Sequence, residues 1–576
     1  MNELSLARDI ALICAIAFLG GGVAKKLKLP LVTGYIFAGI VFTLLFGGFL
    51  KDQANINAVG NIGIALLLFS LGLEFSSNHL SKFKGLALKG VIPQIILTIV
   101  ITLIIGPLIK LSFYEALFFG CVISLSSSAI IIKILSDRGE LDTQSGEISI
   151  HWSLIQDLSI LPFTLVLPVL AKLGGVAILP SILELAKSIG KTALIIYLLL
   201  ILGKKIIPRI IDNLGSLNSR ELLLIAAIFL SILSAYISLL LGLSFAVGAF
   251  IAGILLSTTS KNHAIFAEIR PIRDLFVMIF FVLLGMFVNI NFILNNLLTI
   301  FWLSLIVVVC KYLIVLFLLR MLDYHFKISH KTALYLAQIG EFAFVLAIFG
   351  SSSHIISSYL YSLIISVSLI TLCLSPFLIS LHDKSYQAIK AICQKLFPKI
   401  YHKLFEIDPG RANFNKEGLP LRDHVVICGY GRVGKHIGDL LEAYNIPFLV
   451  VEFNQKIVNN LKQKNIPVVY GDPAEYGVLD YAQVDKAKVI VIAVPDKFSQ
   501  EQIIINSLNL KRDILIICRS HRDEDKNLLL SKGAHFIIQP EFEASLSISH
   551  KVLEAFNISK DNITGSLKSL REFHEK

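Results

Sequence analysis

The chain has 576 residues, of which 55% are hydrophobic and 16% charged, with 38 phenylalanines but only 2 tryptophans. Since the apolar share of a soluble protein is usually about 45–50%, this composition excludes an ordinary soluble protein and favours membrane helices over a barrel with aromatic girdles. The formal net charge of +11 does not predict nucleic-acid binding, because many lysines and arginines lie in short loops between apolar segments.

About thirteen apolar segments are long enough to span a membrane, since one helix needs about 20 residues. Basic residues concentrate in alternate loops, which predicts an external N-terminus and a cytosolic C-terminus by the positive-inside rule. The first segment contains Arg8 and is expected to be a span, not a cleaved signal peptide. The segments begin near Leu4, Leu31, Asn57, Leu86, Tyr114, Ile148, Ala193, Glu221, Gly242, Leu275, Phe292, Thr332 and Ser357.

Polar breaks interrupt the fifth and the twelfth segments. Residues 124–128 read Ser-Leu-Ser-Ser-Ser, and residues 338–341 read Gln-Ile-Gly-Glu. An offset of seven segments inverts the topology, and paired interrupted helices in inverted repeats form the binding site of many secondary transporters. The alternative is that these small residues only allow close helix packing.

The sixth segment carries Asp157 in mid-helix, with Gln156 beside it. A carboxylate inside the membrane costs about 2.5–3.5 kcal/mol on insertion scales, so such a residue is usually functional. A single carboxyl group can hold one proton or one monovalent cation in turn, which predicts electroneutral exchange. The alternative is a structural acid that a neighbouring hydroxyl or lysine satisfies.

A basic amphipathic stretch follows the last span and predicts a linker helix along the membrane over residues 383–420. Beyond it, strand-like runs alternate with helical patterns, which predicts an α/β domain with a parallel sheet. We therefore divide the chain into a membrane domain (1–382), this linker and a cytosolic Rossmann-like domain (421–576). The predicted strands are Val425–Cys428, Pro447–Val451, Pro467–Tyr470, Val489–Val494, Ile514–Cys518 and Phe536–Ile538.

A glycine-rich turn opens this domain. Gly429, Gly431 and Gly434 follow the first predicted strand and precede a helix, a context that places a phosphate at the helix N-terminus. Glu452 ends the second strand, 18 positions after Gly434, where a ribose-binding carboxylate belongs. The turn also contains Tyr430, Arg432 and Val433. We expect NAD(H) or AMP as a regulatory ligand, and a sensor instead of an enzyme, because no substrate domain with a catalytic acid or base accompanies the motif.

These motifs in this order resemble the Kef-type potassium/proton antiporters, within the monovalent cation:proton antiporter-2 family. The resemblance rests on residues 138–146 (Arg-Gly-Glu-Leu-Asp-Thr-Gln-Ser-Gly), 156–157, 242–253, 340–344 and the Gly-Tyr-Gly-Arg-Val-Gly turn. It implies a sodium/proton-exchanger-like fold of thirteen helices with crossed broken helices, a homodimer in the bacterial inner membrane, and elevator-type exchange of K+ for H+. A potassium-regulatory nucleotide domain would control this exchange.

The resemblance also assigns site residues. It implies that Gln156 and Asp157 form the ion site, with oxygen ligands from Ser126, Ser127 and Ser128. Lys311 matches a lysine of related exchangers and could pair with Asp157 or Glu341, unless it snorkels to an interface. Glu341 either touches the ion or supports the crossed helices. In the nucleotide domain, Asp472 resembles an adenosine contact, and Arg519 resembles a regulatory contact.

One stretch departs from the Kef pattern. Residues 262–271 stand where Kef systems carry an acidic cytosolic loop whose contact with the nucleotide domain is released by glutathione adducts, but Phe266 and Arg270 replace expected acids. The sequence therefore does not decide whether glutathione gates the protein. It also does not decide whether an ancillary soluble subunit binds.

The sequence is also compatible with three alternative functions. A nucleotide-gated potassium channel-like pathway predicts voltage-dependent current, where an electroneutral antiporter predicts none. A membrane-tethered NAD-dependent oxidoreductase predicts cofactor turnover. The same antiporter fold could also select sodium. The 7 cysteines are widely spaced and predict neither a structural zinc site nor a disulfide framework.

Overall fold

The chain is described from a computed structural model and divides into two compact units. The first takes residues 1–134, 145–322 and 329–382; the second takes residues 135–144, 323–328 and 383–576. Within these units the structure describes residues 3–27, 29–46, 53–74, 84–138, 140–141, 143–172, 190, 199, 201, 203, 207–208, 211, 220–241, 245–259, 261–286, 288–396, 398, 422–520 and 523–575.

The first unit is built of helices. Their order up to the sixth predicted span is α1 (Glu3–Lys26), α2 (Leu31–Phe46), α3 (Gln53–Glu74), α4 (Ile92–Ile105), α5 (Phe113–Ser124), α6 (Ser128–Arg138), α7 (Gln144–Leu158) and α8 (Ile160–Lys172). Lys84–Leu86 and a π-helical turn, Ala87–Val91, precede α4, and a 3-10 turn, Gly106–Ile109, follows it. Helix α6 ends within the second unit, and α7 begins there.

The later helices are α9 (Arg220–Leu240), α10 (Phe245–Ser257), α11 (Asn262–Met286), α12 (Leu297–Met321), α13 (Phe326–Tyr335), α14 (Phe342–Ser352), α15 (Ser358–Ser380) and α16 (His382–Leu396). A short helix, Ile290–Asn295, precedes α12. Helix α16 covers the start of the predicted linker, and residues 399–420 of that linker lie outside the described part of the chain.

Five helical spans in the described part of the chain are long and apolar enough to cross a membrane: Ala87–Ile109, Phe113–Arg138, Glu221–Ser238, Leu297–Met321 and Ser358–Ser380. Shorter apolar helices include Leu31–Leu45, Ile62–Leu73, Val247–Ser257 and Phe342–Ser352. The span predicted near Ala193 falls almost wholly outside the described residues, so the total of thirteen stays a prediction.

One local expectation was incomplete. The tenth segment was predicted to begin near Leu275, whereas α11 begins at Asn262 and continues through Pro271. The residues that align with the Kef acidic loop are therefore helical.

Both predicted breaks interrupt helices. Helix α5 ends at Ser124 and α6 begins at Ser128, while α13 ends at Tyr335 and α14 begins at Phe342. We call α5 with α6 the first broken helix, and α13 with α14 the second. A large apolar cluster surrounds them, and it includes Phe118, Phe281 and Phe344.

The second unit contains a six-stranded parallel sheet. Its strands are β1 (Val425–Cys428), β2 (Phe448–Glu452), β3 (Val468–Tyr470), β4 (Val489–Ile492), β5 (Leu515–Arg519) and β6 (Phe536–Ile538), in the order β3-β2-β1-β4-β5-β6. Each lies within two residues of its predicted bounds. This order reverses direction between β1 and β4, which is the switch point of a doubly wound fold.

Helices connect the strands: α17 (Arg432–Ala443), α18 (Gln455–Gln463), α19 (Tyr476–Tyr481), α20 (Lys497–Leu510), α21 (Asp523–Ser531), α22 (Pro540–Ala555) and α23 (Lys560–Glu575), with a 3-10 turn at Val484–Lys486. Val426 and Cys428 belong to one apolar cluster, and Val425 and Ile427 belong to another. Strand β1 is thus buried on both faces, as a central parallel strand should be.

Candidate ion site and nucleotide crevice

The two broken helices touch at their breaks. The Gly340 N–H donates to the Leu125 carbonyl over 3.2 Å, and the Ser126 hydroxyl donates to the Leu336 carbonyl over 2.8 Å. A Cβ atom on Gly340 would lie 2.6 Å from the Ser126 carbonyl carbon. Only glycine at position 340 therefore permits this approach of one backbone to the other.

Lys311 joins the breaks by three hydrogen bonds. Its Nζ donates to the Leu125 carbonyl (2.6 Å), the Gln338 carbonyl (2.7 Å) and the Ser126 hydroxyl (3.0 Å). The side chain is 1% exposed, so the interpretation of Lys311 as a snorkelling lysine is wrong. A buried amine suits this place because carbonyl groups at the C-terminal ends of helices carry partial negative charge. Its pairing with Asp157 or Glu341 stays a prediction for another conformation.

Glu341 contacts the start of α6, where backbone N–H groups carry partial positive charge. Its carboxylate accepts hydrogen bonds from the Ser127 hydroxyl and from the backbone N–H of Ala129. The Ser127 hydroxyl oxygen also accepts from the Ile130 N–H over 3.3 Å. An acid at the start of α6 stabilises the positive end of that half-helix, so these contacts favour the supporting role of Glu341 over direct contact with the ion.

Gln156 contacts the first break from α7. Its Oε1 accepts the Ser126 N–H over 3.1 Å, and its Nε2 donates to Gln94 Oε1 over 2.6 Å. Gln94 in turn donates to the Ser124 carbonyl over 3.2 Å. The sequence interpretation missed Gln94. Its spacing of four residues from Thr98 and of eight from Thr102, on an otherwise apolar helix, is the signal that could have found it.

Asp157 is fully buried next to the end of α7. It lines a largely apolar cavity together with Leu68, Thr164, Phe250 and Val345. Helix α7 ends at Leu158 and α8 begins at Ile160, so this carboxyl also lies close to a helix interruption. Ser128, the third predicted serine ligand, opens α6 and is half-buried.

The glycine-rich turn has the geometry that a phosphate requires. Gly429 has φ of +92°, in the left-handed region, and a Cβ on Gly434 would lie 2.1 Å from the Gly429 carbonyl oxygen. A Cβ on Gly431 would meet no atom within 4 Å. Gly431 precedes α17, whose first turn contains Arg432 and Val433 and has no side-chain cap. The N-terminus of α17 is thus free of a capping side chain from its own N-cap residue, as in an anion site.

Glu452 lies beside this turn, as the spacing predicted. One carboxylate oxygen accepts the Tyr430 N–H over 2.8 Å, and the other accepts the N–H groups of Phe453 and Asn454, each over 2.8 Å. Burial raises the pKa of Glu452, and these three N–H donors partly offset that rise. Ribose binding by Glu452 stays a prediction.

Asp472 follows β3 and already has a cationic partner. Its Oδ1 accepts the Ala474 N–H over 2.9 Å, and its Oδ2 accepts Lys327 Nζ over 3.0 Å. Lys327 belongs to the 323–328 segment of the second unit. No motif in the sequence marks Lys327.

The charges of this pair stabilise each other. Burial alone would raise the pKa of Asp472, but Lys327 and His325 bring it below its usual value. Burial alone would lower the pKa of Lys327, but Asp472 and Asp496 raise it to about 12. The pair is therefore ionised at neutral pH.

Arg519 is the last residue of β5, and its backbone carbonyl accepts a hydrogen bond at the carboxyl end of the sheet. Gln500 Nε2 donates to the carbonyls of both Val494 (2.7 Å) and Arg519 (2.9 Å). This contact ties the carboxyl ends of β4 and β5 together. The regulatory role of Arg519 stays a prediction.

Comparison with known proteins now defines the family. The model of the transmembrane sodium/hydrogen exchanger family matches residues 14–381, and the TrkA-N domain model matches residues 425–540. The chain belongs to the sodium/hydrogen exchanger family. This confirms the membrane transporter class, and the second match confirms the Rossmann-like domain.

Two relatives of this exchanger are named as antiporters. It is 27% identical over 532 residues to the "Putative cation/proton antiporter YbaL" of Escherichia coli (strain K12), covering 92% of this chain and 94% of that protein. It is 31% identical over 381 residues to K(+) efflux antiporter 5 of Arabidopsis thaliana, covering 66% of this chain and 67% of that one.

A solved exchanger structure has the same membrane fold. The sodium proton antiporter MjNhaP1 from Methanocaldococcus jannaschii matches with a TM-score of 0.51 and 17% identity, covering 66% of this chain and 99% of that one. The exchanger is thus a multi-pass membrane protein with an NhaP1-like membrane domain and a C-terminal parallel-sheet domain, as the fold prediction stated.

Proposed function

We propose that this exchanger is a monovalent cation/proton antiporter that exchanges K+ for H+, regulated by an adenine nucleotide at its TrkA-N domain. The observation that carries the proposal is the position of Asp157, a fully buried carboxyl that lines a cavity near the end of α7. The printed names of the relatives, cation/proton antiporter and K(+) efflux antiporter, support the same reaction.

Asp157 alternately holds a proton and a potassium ion in this mechanism. The adjacent Gln156 is hydrogen-bonded to the first break, and the oxygens of Ser126, Ser127 and Ser128 belong to that break. Potassium is a large, weakly hydrated ion, so hydroxyl, carbonyl and carboxylate oxygens together can replace its water shell. One carboxyl group trades one proton for one monovalent cation, which makes the exchange electroneutral.

Lys311 and Glu341 hold the breaks in register and do not carry the ion. Lys311 neutralises carbonyl groups of both breaks, while Glu341 neutralises the start of α6. With these charges in place, the crossed helices can move as a rigid body in elevator-type access. Because Lys311 and Glu341 have supporting roles, the transported proton is assigned to Asp157.

Regulation belongs to the second unit. Gly429, Gly431 and Gly434 form a phosphate turn at the N-terminus of α17, and Glu452 lies beside it. NAD(H) or AMP would place its phosphate at this turn and its ribose near Glu452, with Asp472 and Arg519 as further contacts. We assign the protein to a bacterial inner membrane, as a homodimer with its TrkA-N domain in the cytosol.

The test measures proton movement in proteoliposomes that contain a pH-sensitive dye, after addition of K+ or Na+. We expect K+-driven proton movement in the wild type and none in Asp157→Asn, which retains the shape of the side chain but cannot ionise. Asp274→Asn is the matched control, because its carboxylate is exposed and lies on α11 of the same unit. It should transport at the wild-type rate.

Other outcomes would change the assignment. Undiminished exchange in a folded Asp157→Asn protein would remove Asp157 from the mechanism. Potassium flux without proton movement would indicate the channel-like pathway, and a response to Na+ alone would assign sodium as the substrate. Turnover of NADH would support the oxidoreductase alternative.

A further inference from the structure

The segment Asp323–Ile328 joins α12 to α13 in the chain and is part of the second compact unit. Two of its side chains lie against the nucleotide domain. The His325 ring is 5.9 Å from the Phe453 ring, which directly follows Glu452. Lys327 extends to Asp472, as described above. The segment thus contacts residues that follow β2 and β3 within one unit.

The Lys327 amine makes two hydrogen bonds there and lies near a second carboxylate. Its Nζ lies 3.0 Å from Asp472 Oδ2, 2.7 Å from Ser499 Oγ and 3.9 Å from Asp496 Oδ2, with the Tyr386 ring centroid at 5.9 Å. The Lys327 side chain is 16% exposed, and that of Asp472 is 1% exposed. Such burial distinguishes this pair from an ordinary surface ion pair, which contributes little.

The acids mark the two sides of the ligand crevice. Asp472 follows β3, and Asp496 follows β4 and caps α20 by accepting the Ser499 N–H. In the sheet order, β2 and β1 lie between β3 and β4, and β1 leads into the glycine-rich turn. Ligands of doubly wound folds bind outside the carboxyl ends of the strands at this switch point. Lys327 therefore lies across the place where a nucleotide would bind.

We propose that Lys327 is a tethered competitor of the nucleotide, which occupies the crevice by binding Asp472 and is displaced when an adenine nucleotide takes that carboxylate. This inference rests on the proposed nucleotide regulation. A nucleoside hydroxyl or amine that approaches Asp472 Oδ2 meets an amine already 3.0 Å away. The amine and the nucleotide thus compete for the same carboxylate oxygen in this arrangement.

The chain links Lys327 to the crossing of the broken helices. Lys327 is the second residue of α13, and this helix continues to Tyr335. The next residue, Leu336, accepts the hydrogen bond from the Ser126 hydroxyl. In this proposal, displacement of Lys327 also moves the helix that ends at the second break, which would give the nucleotide a physical route to the ion site.

The first test measures binding of AMP and of NADH to the purified full chain in detergent, for the wild type and for Lys327→Met. If Lys327 occupies the crevice for about nine-tenths of the time, its removal tightens the apparent Kd about tenfold. Lys497→Met is the matched control. Lys497 lies on α20 of the same unit, its side chain is 45% exposed, and its Nζ is 2.6 Å from an oxygen of Asp525. Its Kd should equal that of the wild type.

Unchanged or weaker binding by Lys327→Met would overturn the competition while leaving nucleotide regulation intact. Failure of every protein to bind either nucleotide would overturn the proposed regulation and the competition together.

A second test needs no variant and so does not depend on how Lys327→Met folds. The wild-type chain is treated with an amine-acetylating reagent, and modification of each lysine is followed by mass spectrometry. Saturating AMP or NADH should increase acetylation of Lys327 several-fold, because the amine leaves its carboxylate partner. Modification of Lys497 should not change. Equal or reduced acetylation of Lys327 with bound nucleotide would contradict displacement.

Discussion

Lys311 and Glu341 show how single charges can be accommodated inside a membrane domain. Each is buried, and each faces backbone groups of the sign that it stabilises: Lys311 the carbonyls of both breaks, Glu341 an N–H at the start of α6. The helix ends replace the counter-ion that a salt bridge would supply. Among these three residues, the proposed exchange assigns the transported proton to Asp157.

The Lys327–Asp472 pair predicts a specific dependence of stability on pH. The pKa of Lys327 is raised from 10.5 to about 12, so the contribution of the pair is complete below 10.5 and is lost as pH rises through about 12. The pKa of Asp472 is lowered from 3.8, so the contribution is complete above 3.8 and is lost as pH falls through the lower value. Between these limits the contribution is constant.

Lys327→Met should lower the thermal unfolding midpoint of the full chain by a constant amount from about pH 5 to pH 9, since removal of one partner of a buried pair costs about 3 kcal/mol. The difference should shrink at more acidic pH. Thermal unfolding in detergent across this range provides the measurement. A difference that varied through neutral pH would show that another titrating group dominates.

At the scale of elements, the crossing depends on backbone contact between two interrupted helices. The N–H of Gly340 bonds to the first break, and its Cα faces the Ser126 carbonyl. No side chain separates the two backbones at this point. The breaks therefore serve close helix packing, as one interpretation of the small residues held, while their role as a source of ion ligands stays a prediction.

Gly340→Ala should disrupt this contact. Its Cβ would lie 2.6 Å from backbone carbon, which cannot yield as a flexible side chain can, so we expect destabilisation of about 1–3 kcal/mol and loss of transport. Gly22→Ala is the control, because a Cβ there meets nothing within 4 Å in another helix of the same unit. Wild-type stability and transport in Gly340→Ala would refute the requirement for close contact.

At the scale of the whole molecule, the ion site and the glycine-rich turn are built from different parts of the chain. The exchanger model matches residues 14–381, while the TrkA-N model matches residues 425–540. Regulation and transport should therefore be separable by mutation. A ligand can shift transport only as far as it binds one conformation better than another.

Gly431→Leu should test this separation. The Cβ position of Gly431 is open, so the side chain fits but projects from the turn where a phosphate would bind. We expect nucleotide affinity to fall at least about tenfold, or 1.4 kcal/mol, and the nucleotide response of transport to disappear while basal exchange remains.

Gly477→Leu, at another open glycine of the same unit, should leave both affinity and transport unchanged. Complete loss of exchange in a correctly folded Gly431→Leu protein would count against separate functions.

The sequence by itself determined the elements and their class. Apolar length marked the spans, the two polar breaks marked the interrupted helices, and alternating apolar runs marked six strands within two residues of their observed bounds, because these signals are local along the chain. Asp157 and the glycine-rich turn were found for the same reason: a charge in an apolar segment and a fixed glycine spacing are visible without a partner.

Only the tertiary structure decided which polar groups meet. Lys311 bonds to carbonyls at Leu125 and Gln338, and Lys327 bonds to Asp472, 145 positions away along the chain. Gln94 likewise reaches Gln156 from another helix. Hydrogen bonds and ion pairs act over about 3 Å in space and do not depend on sequence separation, so the sequence showed these charges without their partners.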